Sequence, residues 1–367
     1  MKTNSKTSIL IFLPNLLVGG AEETILNFIQ YLKKKNYKVT LVLATNKISD
    51  YYQIPENIEY VNLNSKRLIL SFLKALKTIN KVKPDIVLST LWYSNLLIIV
   101  VCRLLKIKCI VREAGLDYRV GNNMKSYFFK VLTSLLYKKA NKVIAISNSL
   151  NENLQDELGI DKSNIVTIYN PVESYFKREQ LKQFDLKKYF NNTTEETITA
   201  VSAIRFDKIK FSYNLFLAIK KIDQIDVRLL LIGDGLEKDQ IKKYLIDNKI
   251  EDKIVVLEWT NKIYNFIYSC DLYISSSKYE GLGNSYLAAQ LLNKKCISSN
   301  IPASKEINSI FQNGTSFNDN VDEIKLSILD AVQRQKNQKS NFDDIVSLFT
   351  EDNCFSKYCD IFSTELK

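Results

Sequence analysis

Short runs of isoleucine, leucine and valine alternate along the chain with amphipathic segments of helical length, and this alternation limits the possible folds more than any other feature. Residues 9–13 and 39–43 form the first two apolar runs, and residues 21–35 between them have helical periodicity. Apolar runs without polar alternation are typical of strands that are buried on both faces of a parallel sheet. The pattern therefore predicts an α/β fold.

The same alternation occurs in both halves of the chain. Further runs lie at 86–88, 109–111, 143–146, 165–168, 198–201, 228–232, 255–257, 272–275 and 296–298. A chain of 367 residues is long enough for two domains of about 150–200 residues each. We predict two doubly wound Rossmann-like domains, 1–172 and 173–345, facing a central cleft in which ligands bind. The polar stretch 173–195 carries the expected linker, and the amphipathic segment 346–367 is expected to pack as a helix on the first domain.

Residue types that are missing exclude several kinds of chemistry. The sequence contains no histidine, which rules out histidine general bases, triads and metal ligands. None of the six cysteines belongs to a C-x-x-C pair, which argues against a zinc or thioredoxin-like site. Since the N-terminus has no signal-peptide pattern, we expect a cytoplasmic location.

One segment raises the question of a membrane span. Residues 86–102 carry no charge, but the segment contains Ser89, Thr90, Ser94 and Asn95. It is also shorter than the roughly 20 residues that a spanning helix needs. We therefore predict a buried strand, a polar turn and a core-facing helix at this place.

The net charge of +11 is concentrated in the first half. Residues 1–172 contain 24 Lys and Arg against 12 Asp and Glu, whereas residues 173–367 contain 27 against 28. The excess is either a set of solvated lysines or a surface for an anionic partner such as a bilayer or a lipid diphosphate. The sequence has no nucleic-acid-binding motif that would favour DNA or RNA.

Candidate binding residues follow several of the predicted strands. Gly19 and Gly20 open a helix after the first strand, where backbone amides can approach a phosphate or sugar oxygen, although such glycines are also common in simple turns. Arg205 and Lys210 follow the first strand of the second half. Two cations at a strand's carboxyl end suit a diphosphate, and a solvated loop is the alternative.

The most specific local signal is the segment Glu280-Gly281-Leu282-Gly283-Asn284, which follows the apolar run 272–275. Its glycines allow backbone N–H groups to point at a ligand where the next helix begins. A carboxylate beside exposed amides can hold sugar hydroxyls while the amides hold phosphate.

The order and spacing of these motifs resemble those of the family 4 glycosyltransferases, which are retaining enzymes with the GT-B architecture. The glycine loop at 19–22, the G-D-G turn at 233–235 and the signature at 271–284 are similar to motifs of that family. The resemblance extends over nearly the whole chain and implies a transferase of bacterial polysaccharide, lipopolysaccharide, capsule or lipid-linked glycan synthesis.

The resemblance also implies roles for individual residues. Arg205 and Lys210 would neutralise the leaving diphosphate of a nucleotide sugar, and Glu280 would contact the transferred hexosyl or N-acetylhexosaminyl group. The segment 281–284 would hold the donor, together with the 19–20 glycines. No metal and no cofactor are implied, because cationic side chains and helix dipoles take the place of Mg²⁺. The implied donor is UDP-linked, and the implied acceptor is a glycan or a polyprenyl-diphosphate-linked sugar.

Two departures from the family pattern keep a second function open. Ala288 stands where the family usually has a glutamate that binds the nucleotide ribose, and the residues around Trp92 replace a histidine that is common near the reacting centre. The chain is therefore either an active transferase or a degenerate GT-B homologue that acts as a binding or partner subunit. A GT-B epimerase is a third possibility.

Residues 124–139 interleave aromatic and aliphatic side chains with Lys125, Lys130, Lys138 and Lys139. This composition suits a helix at an anionic membrane surface. The aliphatic residues 131, 132, 135 and 136 suit the core side of a helix equally well. With the basic first half, the segment predicts peripheral attachment to the inner face of the plasma membrane.

Overall fold

The computed structural model of the chain describes residues 6–17, 19–115, 124–176, 178–334 and 342–367. The chain divides into two compact units. Unit 1 consists of Met1–Pro171 and Glu351–Lys367, and unit 2 consists of Val172–Thr350. The chain thus leaves unit 1 once and returns to it at its C-terminal end.

Unit 1 is a parallel sheet with helices packed on it. Its described strands are β1 (Ser8–Leu13), β2 (Lys38–Leu43), β3 (Glu59–Asn62), β4 (Ile86–Thr90), β5 (Lys108–Glu113), β6 (Lys142–Ala145) and β7 (Ile165–Thr167). The helices between them are α1 (Gly20–Lys34), α2 (Phe72–Val82), α3 (Trp92–Leu105), α4 (Met124–Tyr137) and α5 (Asn148–Leu158). The strands lie in the order β3-β2-β1-β4-β5-β6-β7, so the direction of winding reverses between β1 and β4.

The uncharged segment 86–102 forms β4 and most of α3, as predicted. All five residues of β4 are buried, and α3 begins after a turn at Leu91. Within the described ranges, no helix is both long enough and apolar enough to cross a membrane.

Unit 2 repeats the parallel architecture. Its described strands are β8 (Ile198–Ala203), β9 (Val227–Ile232), β10 (Ile254–Leu257), β11 (Leu272–Ser275), β12 (Lys295–Ser299) and β13 (Gly314–Phe317). Its described helices are α6 (Tyr213–Lys220), α7 (Lys238–Asp247), α8 (Ile263–Ser269), α9 (Asn284–Leu291), α10 (Pro302–Phe311), α11 (Val321–Gln333) and α12 (Phe342–Ser347). The strand order is β10-β9-β8-β11-β12-β13, so β8 and β11 are the neighbours at which the winding reverses. These two sheets confirm the prediction of two Rossmann-like domains.

The polar stretch 173–195, where a linker was expected, packs within unit 2. The Arg178 guanidinium donates to the Leu291 carbonyl at 2.7 Å, and the Phe184 amide donates to the Ser269 hydroxyl at 2.7 Å. Short 3₁₀ turns also lie here, at Val172–Tyr175, Arg178–Gln180 and Lys187–Tyr189.

The last helix, α13 (Glu351–Glu365), belongs to unit 1 and packs on α1. The ring centroid of Phe28 lies 4.9 Å from that of Phe355 and 4.7 Å from that of Tyr358. Phe355 and Phe362 are fully buried. Aromatic packing of this kind ties the C-terminal end of the chain to the core of unit 1.

Candidate active site

The two cations predicted from the sequence lie in the loop that leaves the carboxyl end of β8 in unit 2. A tight turn shapes this loop, because the Lys210 amide donates to the Asp207 carbonyl at 2.8 Å. The Ile209 amide also donates to the Asp207 side chain at 3.3 Å. Turns with an aspartate in the first position commonly bond their own backbone in this way. These hydrogen bonds give the loop a defined conformation.

Lys210 forms an ion pair with Glu280, which follows β11. The Lys210 ammonium lies 2.7 Å from one Glu280 oxygen and 3.0 Å from the Tyr279 carbonyl oxygen. The Ser277 hydroxyl donates to the second Glu280 oxygen at 2.8 Å. Both side chains are about four-fifths buried, with exposed fractions of 18% and 20%. Pairs that are this buried hold their geometry, since separating the charges leaves a desolvated ion.

Arg205 is held much more loosely. Its guanidinium lies 3.2 Å from the Asp207 carboxylate, and the two side chains have exposed fractions of 55% and 39%. Exposed pairs of this kind contribute about 0–1 kcal/mol. Arg205 is thus available to an incoming anion at little cost.

The glycines of the Gly233-Asp234-Gly235 turn allow this turn to touch the loop that carries Arg205. A Cβ on Gly233 would lie 1.9 Å from the Ile204 carbonyl oxygen, and one on Gly235 would lie 2.4 Å from the Phe206 carbonyl oxygen. The Phe206 amide donates to the Asp234 carbonyl at 2.8 Å. The backbone of this turn therefore packs against and supports the loop 204–210, which carries Arg205 and Lys210 and is called the cation loop below.

A buried tyrosine ties β11 to the end of β8. The Tyr273 hydroxyl lies 3.3 Å from both the amide nitrogen and the carbonyl oxygen of Ala203. Burial raises the pKa of Tyr273, so the phenol stays neutral. This contact keeps the two strand ends that carry the cations and Glu280 side by side.

The glycine segment after Glu280 leads directly into α9. Gly283 precedes the helix with a φ of +87°, a conformation that glycine adopts without strain. The Leu282 side chain is buried, and the Leu287 amide donates to the Gly283 carbonyl at 2.9 Å as the helix begins. Backbone amides and the helix dipole at such an end favour a negatively charged group. Gly281 and Asn284 belong to the same short stretch.

The two cations, the Glu280 carboxylate and the start of α9 all follow the carboxyl ends of β8 and β11, which are neighbours in the sheet. In doubly wound sheets, ligands bind outside the carboxyl ends of the strands at the point where the winding reverses. The structure thus brings Arg205, Lys210, Glu280 and the 281–284 segment to the place where a ligand of unit 2 is expected.

Gly19 and Gly20 lie in unit 1, at the start of α1. The Gly19 amide donates to the Tyr52 hydroxyl at 3.2 Å, and that hydroxyl donates to the Gly19 carbonyl at 3.0 Å. A Cβ on Gly19 would lie 2.5 Å from a Glu22 carboxylate oxygen, and Glu22 is buried. A carboxylate at the start of α1 repels anions, which makes this helix end a poorer phosphate site than the start of α9.

Ala288, which departs from the family pattern, and its neighbour Gln290 are both buried in α9. Ala288 has no exposed surface. The side-chain amide of Gln290 donates to the Tyr286 hydroxyl at 3.3 Å.

A buried polar cluster at the carboxyl end of β5 was missed from the sequence. The Arg112 guanidinium donates to Thr90 at 3.0 Å and to Asn170 at 2.6 Å, and Arg112 is fully buried. Glu113, also fully buried, accepts a hydrogen bond from the Tyr137 hydroxyl. The signal that was available is the Arg-Glu pair directly after an apolar run. The cluster ties β5 to β4 and to Asn170, next to the point where the chain leaves unit 1.

Comparisons with known proteins agree with this geometry. Residues 18–174 match the family model described as Glycosyltransferase Family 4, and residues 182–343 match the model described as Glycosyl transferases group 1.

Two curated proteins show similarity over most of their length. The chain is 28% identical over 289 residues to the N-acetylgalactosamine-N,N'-diacetylbacillosaminyl-diphospho-undecaprenol 4-alpha-N-acetylgalactosaminyltransferase of Campylobacter jejuni, with 75% of each chain covered. It is 23% identical over 298 residues to the UDP-Gal:alpha-D-GlcNAc-diphosphoundecaprenol alpha-1,3-galactosyltransferase of Escherichia coli, with 78% of this chain and 77% of that protein covered. Among solved structures, a glycosyltransferase from Rickettsia africae superposes with a TM-score of 0.76 at 21% identity and covers 99% of both chains, a likeness of fold.

Proposed function

The chain belongs to the family 4 glycosyltransferases and has the GT-B fold, and we propose that it transfers a sugar from a nucleotide-sugar donor to a glycan or lipid-linked acceptor with retention of anomeric configuration. The observation that carries this proposal is the pairing of Lys210 with Glu280 at 2.7 Å, beside the start of α9. A phosphate-binding cation and a sugar-binding carboxylate are thereby next to each other, as a sugar linked to a diphosphate requires.

In the proposed donor complex the diphosphate lies between the cation loop and the start of α9. An ammonium group has three N–H donors. In the described part of the chain, two of those on Lys210 point at Glu280 and Tyr279, which leaves one for a phosphate oxygen. The planar guanidinium of Arg205 supplies a second, bidentate contact.

The main requirement of the proposed reaction is to stabilise the negative charge that develops on the leaving diphosphate. As the bond between the anomeric carbon and the diphosphate oxygen breaks, its electron pair passes to the diphosphate, and Arg205 and Lys210 stabilise the added charge. The acceptor hydroxyl attacks from the same face and gives its proton to the departing phosphate oxygen. Glu280 positions the sugar and is not the nucleophile in this mechanism; hydrogen bonds from Lys210 and Ser277 hold its carboxylate in place.

A non-catalytic binding subunit is the second candidate function. The observation that favours it is Ala288, which lacks the carboxylate that would hold the nucleotide ribose. A charged hydrogen bond to the ribose contributes about 1.5–3 kcal/mol. The two functions differ in whether the purified protein turns over a donor.

The first test is a thermal-shift screen of the purified protein with UDP-, GDP- and ADP-linked sugars. We expect the UDP-linked class to raise the melting temperature, because a ligand that binds only the folded state stabilises it. The stabilising donor is then incubated with polyprenyl-diphosphate-linked saccharides, and the product's anomeric configuration is read by NMR. Stabilisation without transfer or donor hydrolysis would support the binding subunit, and an inverted product would refute retention.

We further propose that the acceptor is linked to a polyprenyl diphosphate and that unit 1 attaches to the anionic inner face of the plasma membrane. Both relatives described above carry diphospho-undecaprenol in the names of their acceptors. Side chains on α4 support the attachment, because Tyr127, Phe128 and Leu135 have exposed fractions of 72%, 61% and 58%. Of the aliphatic residues that the alternative interpretation placed on the core side, 131 and 135 are exposed and 132 and 136 are half-buried.

A triple variant in which Lys130, Lys138 and Lys139 are each replaced by glutamine is expected to bind phosphatidylglycerol vesicles more weakly. Each lysine near an anionic surface contributes about 1 kcal/mol, so the loss should reach about a hundredfold. Lys125 is left unchanged because its side chain lies outside the described residues. Sedimentation with vesicles at low and high salt measures the effect.

The control changes Lys242, Lys243 and Lys249, three exposed lysines of unit 2, to glutamine. This control variant has the same net charge as the variant of Lys130, Lys138 and Lys139. It should nevertheless sediment with the vesicles as the unchanged protein does. Equal recovery of the α4 variant and the control, or equal binding to neutral phosphatidylcholine vesicles, would contradict the attachment.

A further inference from the structure

Asp207 lies between the two cations of the site and uses its oxygens for different purposes. One oxygen accepts the Ile209 amide at 3.3 Å and helps to shape the turn that presents Lys210. The other oxygen lies 3.2 Å from the Arg205 guanidinium. Asp207 therefore combines a role in loop shape with a role as a counter-ion.

The site thus contains two cations and two carboxylates, paired one to one. Glu280 neutralises Lys210 in a largely buried pair, whereas Asp207 neutralises Arg205 in a largely exposed one. The buried pair resists separation, while the exposed pair exchanges its partner at little cost. Of the two carboxylates, Asp207 is the one that an incoming anion can displace.

We propose that Asp207 is an internal counter-ion that holds Arg205 when the site is empty and is displaced from it by the diphosphate of the nucleotide. This proposal rests on the proposed function and deepens it, since it assigns a residue that controls how tightly the nucleoside diphosphate is held. When the product diphosphate leaves, Asp207 takes back the guanidinium, so the arginine does not lose its partner on release. Asp207 lowers the affinity for the product and speeds its departure.

The test uses the substitution Asp207→Asn in the full chain. Asparagine keeps a side-chain oxygen for the Ile209 amide, so the turn is retained, but the charge on Arg205 is no longer compensated. Titration calorimetry with UDP and with inorganic pyrophosphate measures the affinity. We expect binding of both to tighten about fivefold, the factor that an exposed ion pair supports, and product inhibition by UDP to strengthen equally.

Two further variants separate a specific counter-ion from a general charge effect. When Arg205 has already been replaced by methionine, adding Asp207→Asn should tighten pyrophosphate binding much less than Asp207→Asn does in the otherwise unchanged protein. Asp223→Asn removes the same charge from an exposed position that faces Lys325, and should leave binding unchanged. Equal tightening in both Arg205 backgrounds, or unchanged or weaker binding of the single Asp207 variant, would overturn the proposal.

Failure of the underlying function gives a different result. If Arg205→Met alone binds UDP as well as the unchanged protein does, Arg205 does not contact the diphosphate and the donor site itself is wrong. If Arg205→Met weakens UDP binding but Asp207→Asn does not strengthen it, the donor site stands and only the role of Asp207 is refuted.

Discussion

Replacing Lys210 with methionine is expected to lower sugar transfer at least about a hundredfold, the usual effect of removing one group that stabilises developing charge. The same change leaves Glu280 largely buried without its cation. Breaking a buried pair costs about 3–5 kcal/mol, and the value here should lie at the lower end because a fifth of each side chain meets solvent. Transfer assays at saturating donor and urea unfolding measure the two losses.

The double variant Lys210→Met with Glu280→Gln separates these losses. Removing the stranded carboxylate charge should restore much of the free energy of unfolding, whereas transfer should remain low because the cation is still absent. Lys238→Met is the matched control, since Lys238 is 21% exposed, much like Lys210, whereas its partner Glu258 is 81% exposed. The hydrogen bond from Lys238 lowers the pKa of Glu258, but water screens this contact because the Glu258 carboxylate is exposed. A Lys210 variant with unchanged transfer would refute the proposed role.

Gly233→Ala is expected to displace the loop that carries Arg205 and to lower stability. The new Cβ would lie 1.9 Å from the Ile204 carbonyl oxygen, and backbone on both sides is held by hydrogen bonds, so strands and loop have to move. Overpacking against backbone costs about 1–3 kcal/mol or more. Because the displaced loop carries Arg205, nucleotide binding should fall along with stability.

The control for this prediction is Gly159→Ala, which also adds a methyl group to a loop. Gly159 has a φ of +60°, and the nearest atom to its new Cβ is the flexible Lys138 ammonium at 3.4 Å. Only conformational strain of about 1 kcal/mol is expected. Thermal unfolding and UDP titration are compared for both variants, and similar losses in both would show that the contact with Ile204 is not what makes Gly233 necessary.

Two strands, β3 and β13, were not predicted from the sequence, and they show which strands an apolar pattern fails to identify. β3 and β13 each lie at an edge of their sheet, and their residues are mostly exposed or half-buried. An edge strand pairs on one side only and does not need the continuous apolar run that marks a central strand. The central strands were found because burial on both faces requires apolar residues throughout.

The sequence by itself determined the fold class, the positions of the central strands and the identity of the cations, because these depend on local pattern and on motifs of short span. Only the tertiary structure decided which carboxylate neutralises which cation. Lys210 and Glu280 are 70 positions apart and meet because β8 and β11 are neighbours in the sheet. The exposed face of α4 and the burial of Arg112 were decided in the same way. Burial depends on which distant elements pack against a side chain, and periodicity within one segment does not contain that information.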